Sequence, residues 1–302
     1  MATSRASENP ELRFSAVLVR AANLPGVRIN REAYLRQALA RYCSEDDIRR
    51  AIAQTPAAAG IPLEILDRAA NSSIHYETTK VSALSAAAGM PGLVFLPATV
   101  PADLAQYFGH VLRIAQKLAY LYSWPDLFSG DGDNGSHGDA DSHGDSLDDA
   151  TKGVLTLFVG VMFGTHQANV AVGRVAELIS KQVAKKLPQK ALTQGVIYPV
   201  VKKVAGYLGI QMTKQTFAKT VSKAIPVVGA VVSGGLTLAT FFPMAKRLKK
   251  HLSSLELTKP THRRTAAAQA AGIPIDVIPA IDVIPVIPGI DIRDTGRTAQ
   301  TP

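Results

Sequence analysis

Hydrophobic positions between Glu11 and Ala70 come in short runs among residues of mixed charge, punctuated at Leu24-Pro25-Gly26 and Thr55-Pro56. That pattern reads as a series of short helices. Ser44 followed by Asp47 has the spacing of a capping box and predicts a helix over Asp46–Gln54. Further on, Pro101 suits a first turn and Asp103 the positive end of a helix dipole, which predicts a helix over Pro101–Tyr122.

Three stretches carry no Asp, Glu, Lys or Arg: Val81–Ala102, Gly153–Gly173 and Ala224–Ala245, of 22, 21 and 22 residues. A helix of that length spans about 30 Å, the thickness of a bilayer's hydrocarbon core. Each is flawed as a simple span. The first contains Pro91, Pro97 and Pro101; the second contains His166, Gln167 and Asn169; the third contains Pro226, Gly229, Gly234, Gly235 and Pro243. Small residues recur four apart, at Ser85/Gly89, Gly160/Gly164, Gly229/Ser233 and Ala230/Gly234, a spacing that lets helix backbones approach closely.

The third stretch is basic at both ends, with Lys219 and Lys223 before it and Lys246, Arg247, Lys249 and Lys250 after it. A single span is expected to be asymmetric. Gly234-Gly235 sits at the midpoint, where a turn is cheap. The expectation is a helical hairpin, Ala224–Ser233 and Leu236–Ala245, with both ends on one side. It fits either insertion into a bilayer or burial in a helical bundle. Its flanks are amphipathic: Met244, Leu248, Leu252 and Leu255 share a face off which the cations lie, as do Val175, Ile179, Val183 and Leu187 against Lys181, Lys185 and Lys186.

Composition sharpens this. Of 302 residues 47% are hydrophobic, which excludes a wholly disordered chain, and only 19% are charged. The net charge of +9 hides an uneven distribution: seven Asp and no cation in residues 131–149, and thirteen Lys or Arg with no acid in residues 178–255. The basic block calls for an anionic partner. A lone cysteine, Cys43, excludes a disulfide framework and a cysteine-based zinc site. The chain divides into a leader (1–10), a helical domain (11–257) interrupted by an acidic loop (129–151), and a tail (258–302) in which Ile-Asp-Val-Ile-Pro repeats at 275 and 281.

One polar constellation stands out. At about 100° per residue, Asp103, Gln106, Tyr107, His110, Arg113 and Lys117 fall within roughly 120° of arc on an otherwise apolar helix. An acid, a hydroxyl, a base and a guanidinium could converge there, so Asp103, Tyr107, His110 and Arg113 are the catalytic candidates; a solvated stripe laced by local ion pairs is the competing reading. The acidic loop repeats Ser-His-Gly-Asp, and Asp139, Asp141 and His143 are weak metal candidates. The EF-hand template fails because Ala150 stands where its twelfth-position Glu belongs. HExxH, GxSxG, the phosphate-binding GxxxxGK[ST] loop and paired CxxC motifs do not occur, and no cofactor is expected. Nucleic acid is not expected either, because the aromatic residues of the basic block form no stacking platform.

Leu24-Pro-Gly-Val27, Ile29-Asn-Arg31-Glu32, Ala88-Gly-Met-Pro-Gly92, the segment Val100 to Tyr122, Trp124-Pro-Asp126, Thr156 to Gly164 and Ile225-Pro-Val-Val-Gly229-Ala together resemble the EcsC protein family, a mostly bacterial group, over roughly 11–257. The resemblance implies a helical, membrane-associated protein whose founding member is encoded beside the subunits of an ABC transporter. It implies no catalytic residue. The acidic loop looks longer than the family's usual turn, and the Ile-Pro tail lies outside the shared region.

The sequence therefore predicts an all-α, multi-helix bundle with an apolar, Gly/Pro-containing hairpin as a membrane element. The leading expectation is peripheral or re-entrant attachment at the cytoplasmic side of a membrane. Anionic lipid or a membrane protein would be the partner, contacted by Lys181, Lys185, Lys186, Lys202, Lys203, Lys246, Arg247, Lys249 and Lys250. Two other readings stay open: an enzyme acting on a lipidic or small substrate through Asp103 and His110, and a soluble helical scaffold.

Overall fold

A computed structural model of the chain describes residues 9–88, 100–128, 147–181, 186–223 and 229–259, with side chains for 9–83, 104–128, 147–181, 186–212 and 239–259. The described residues form ten helices and no strand. These are α1 (Pro10–Ala22), α2 (Arg31–Leu39), α3 (Glu45–Ala53), α4 (Leu63–Ala88), α5 (Val100–Leu121), α6 (Asp149–Met162), α7 (His166–Lys181), α8 (Gln189–Thr193), α9 (Tyr198–Lys223) and α10 (Gly229–Ser253). The leader, the 129–146 part of the acidic loop with Asp139, Asp141 and His143, and the tail beyond 259 lie outside the described residues.

Local chemistry starts several helices. Asn9 accepts from Glu11 N, Asn30 from Ala33 N, Ser44 from Asp47 N, and Asp148 from Ala150 N and Thr151 N. Each cap of this kind is worth about 1 kcal/mol. Asp148 and Asp149, read as loop, are thus the start of α6, where an acid suits the positive end of the dipole.

The most apolar helix is the central one. α6 is buried along almost its whole length and packs on α5, α7, α8, α9 and α10. The first half of the uncharged run Gly153–Gly173 is therefore core as far as Met162; Gly164 takes φ +81° and ends the helix, and beyond it His166, Gln167 and Val170 are exposed. Gly160 has the role its spacing suggested, but inside the bundle. A Cβ there would meet Val204 Cγ1 at 2.5 Å and Ala168 Cβ at 2.8 Å, so the missing side chain lets α6, α7 and α9 close together.

The hairpin expected of 224–245 is overturned. From Gly229 to Ser253 the chain is one helix, running through Gly234-Gly235 and Pro243. Two glycines permit a turn without demanding one; their helix cost of about 1 kcal/mol each is offset by packing elsewhere along the helix. α10 lies antiparallel on α4, with Lys249 Nζ 3.0 Å from Asp67 Oδ2, Lys246 Nζ donating to Asn71 Oδ1 at 2.7 Å, and the Phe242 and His75 rings 5.2 Å apart. Arg247 donates to the Met162 carbonyl at 3.2 Å. The basic end of α10 is thus largely spent on holding the bundle together.

Among the described residues no helix is long and apolar enough to cross a membrane. The membrane-inserted element is set aside with it. So are the lipid-binding, membrane-associated reading and the placement at the membrane's cytoplasmic side, which rested on that hairpin and its basic flanks.

Candidate functional site

The polar stripe of α5 faces a partner that the sequence reading did not supply. Glu77 on α4 is fully buried, and three basic groups of α5 converge on it. His110 Nδ1 lies 3.2 Å from Glu77 Oε2. Arg113 Nε donates to Glu77 Oε1 at 3.2 Å, and Lys117 Nζ donates to the same oxygen at 2.6 Å. Residues 110, 113 and 117 are spaced three and four apart, so one helix face delivers all of them to one carboxylate. Burial pushes the Glu77 carboxyl up. The hydrogen bond with His110 and the charges of Lys117 and Arg113 overrule it and hold it at about 2.

The deep end of this cluster is structural. The Lys117 ammonium sits 5.6 Å from the Tyr34 ring centroid and 5.2 Å from that of Tyr76, a cation between two aromatic rings. The Tyr34 hydroxyl is 2.8 Å from Ser73 Oγ, and its burial, the largest influence on it, pushes its phenol well above the ordinary range.

The shallow end opens into a cleft of about 470 Å³. Its walls are Arg20 of α1, the Leu24–Val27 turn, Lys80 of α4, and Ala105, Gln106, Gly109, His110 and Arg113 of α5. The turn is fixed against α5 by specific contacts. Gly26 has φ +73°, a conformation that favours glycine, and its carbonyl accepts from Arg113 Nη1. The Gln116 amide donates to the Val27 carbonyl at 3.0 Å and accepts from Ile29 N at 2.8 Å. Gly109 gives the turn its seat: a Cβ there would stand 3.1 Å from Val27 Cγ2.

An ionised carboxylate can only accept a hydrogen bond. With Glu77 ionised, the hydrogen between it and His110 belongs to Nδ1. In the neutral imidazole this leaves the lone pair on Nε2, and nothing among the described residues hydrogen-bonds that atom. The arrangement can orient an imidazole and present one basic nitrogen at a cleft wall.

The other candidates part company. Asp103 lies in the first turn of α5, outside the described side chains. Tyr107 turns towards α10. Its hydroxyl bonds Thr240 and lies 3.8 Å from Met244 Sδ, and its ring meets Phe241 edge-on at 6.4 Å. Burial pushes its phenol up to about 12 against the Thr240 hydrogen bond, so it stays protonated at neutral pH. It therefore does not join His110. Of the basic candidates, Lys181 pairs with Glu177 at 2.5 Å and Lys202 sits 4.9 Å over the Tyr198 ring, both at the surface. Lys186, Lys203 and Lys250 are exposed, and Lys185 lies outside the described residues. Among the described residues no group of His, Cys, Asp and Glu could hold a metal ion.

Glu77 was readable in principle. It stands in the helical register of Leu66, Ala70, Ile74 and Val81, all buried. A carboxylate on a core stripe needs a buried cation, and α5 offers three candidates one turn apart.

No protein-family model, no curated protein and no solved structure matches the chain. The resemblance to the EcsC family thus rests on the quoted residues alone and lends no role to any side chain of this cleft.

Proposed function

We propose that this helical domain binds a small molecule in the cleft between α1, α4 and α5, and exchanges a proton with it through His110. The observation that carries this reading is the 3.2 Å pairing of His110 Nδ1 with the buried Glu77 carboxylate at the wall of a ligand-sized cavity. Glu77 is a positioning residue: it fixes the tautomer and the ring plane, while His110 Nε2 handles the proton. Arg113 and Gln116 hold the turn that forms the opposite wall. The cleft residues come from elements on both sides of the 23–30 connection, so the site exists only in the folded bundle.

The test is backbone NMR mapping of the full chain with mixtures of small metabolites. Shifts clustered at Gln106, Gly109, His110 and Arg113 are expected. Shifts confined to other surfaces, such as the outer face of α3, would overturn the assignment.

A further inference from the structure

We infer that the ligand of this cleft carries a doubly charged phosphate group, held by Arg20, Lys80 and Arg113, on a small and partly apolar body. This rests on the reading of the cleft as a ligand site and names the class of ligand.

Charge points to an anion. Arg20, Lys80 and Arg113 line the cleft, and no carboxylate lines it among the described residues. Glu77 does not cancel them. It is buried beneath the wall and is already matched by Lys117 at 2.6 Å, leaving three cations around one cavity. Neither Arg20 nor Lys80 has a carboxylate partner among the described residues. Like charges gathered around one cleft repel one another, and an anion placed between them relieves the repulsion. A monocarboxylate would offset one of the three charges. A phosphate monoester offsets up to two and offers three acceptor oxygens to a guanidinium, an ammonium and the Gln106 amide.

Two of the cations are also held in place. Lys80 hydrogen-bonds the Tyr76 hydroxyl, and its ammonium lies 4.7 Å from that ring's centroid, so it is braced along one side. Arg113 uses Nε and Nη1 inward, on Glu77 and the Gly26 carbonyl, which fixes the guanidinium plane. A guanidinium has five N–H donors, so donors remain for a ligand. The rest of the lining is largely apolar. Leu24, Pro25, Val27 and Ala105 form an apolar wall, fit for a carbon skeleton and not for a free inorganic ion alone.

The experiment is calorimetric titration of the full chain at low ionic strength with glycerol phosphate, inorganic phosphate and acetate as probes. Glycerol phosphate is expected to bind at least tenfold more tightly than acetate, and to weaken steeply as salt is raised. Arg20→Met and Lys80→Met, both at the surface, should each weaken it by about tenfold or more while leaving the melting temperature unchanged. Lys203→Met, on an exposed part of α9, should leave the affinity as it was. Acetate binding as tightly as glycerol phosphate, or indifference to both cleft substitutions, would overturn the inference. If neither phosphate probe binds, yet uncharged small molecules still shift the His110 and Gly109 signals, the charge class is wrong and the cleft stands. If nothing shifts those signals, the cleft reading falls with it.

Discussion

Lys117 Nζ donates to Glu77 Oε1 at 2.6 Å in a place where both groups are buried, so α4 and α5 are joined by an ion pair inside the bundle. Two buried charges repay their desolvation only if each keeps its partner. Glu77→Gln should therefore cost about 3 kcal/mol, because it strands Lys117 and Arg113 beside a neutral amide. Lys117→Met added to Glu77→Gln should recover a good part of that loss. Denaturant titration of both single variants and the double variant measures the coupling. Strictly additive losses would show that the pair does not act as a pair.

The same carboxyl makes a statement about pH. Glu77 is held at about 2 in the folded chain, against an ordinary value of 4.5. A folded value below the unfolded one means that the stabilisation is complete above pH 4.5. It drains away as pH falls from there towards 2. Denaturation midpoints at pH 5 and pH 2.5 should fall further for the wild type than for Glu77→Gln, which has no carboxyl to protonate. Equal falls would contradict the folded-state charge assigned to Glu77.

Two glycines of α9 should respond in opposite directions. A Cβ on Gly209 would run into the Pro10 carbonyl, which is backbone and cannot rotate away, whereas a Cβ on Gly206 would meet nothing within 4 Å. Gly209→Ala should destabilise by about 1–3 kcal/mol through displacement of α1. Gly206→Ala should stabilise by roughly 0.5–1 kcal/mol through helix propensity. Thermal unfolding of the pair checks the close crossing of α1 and α9. Equal effects of the two substitutions would refute it.

Tyr107 separates the two faces of α5. Because its hydroxyl serves Thr240 and Met244, Tyr107→Phe should cost no more than about 1.5 kcal/mol and leave glycerol phosphate affinity at the wild-type value. Titration of this variant beside Lys80→Met makes the comparison. A tenfold loss in Tyr107→Phe would return the phenol to the site.

Much of this arrangement was legible in particular residues. The stripe of Gln106, His110, Arg113 and Lys117 followed from spacing alone, and α5 begins and ends within one residue of the predicted helix. Ser44 caps α3 as its pattern required. Glu77 was missed because a wheel drawn for one helix cannot show what the next helix brings to it. The hairpin was wrong for a related reason. Gly234-Gly235 lowers the cost of a turn, but packing of α10 on α4, α5 and α6 decides whether one is made. The basic block misled in the same way: the acid that Lys249 needs, Asp67, lies 182 residues earlier in the chain.

The most direct measurement of the central claim is a long-range ¹H–¹⁵N spectrum of the histidine side chains, recorded where His110 is neutral, before and after addition of glycerol phosphate. The expected result is a His110 hydrogen on Nδ1, facing Glu77, and an Nε2 signal that moves when the phosphate probe enters the cleft. A hydrogen on Nε2, with neither nitrogen responding to the probe, would contradict it.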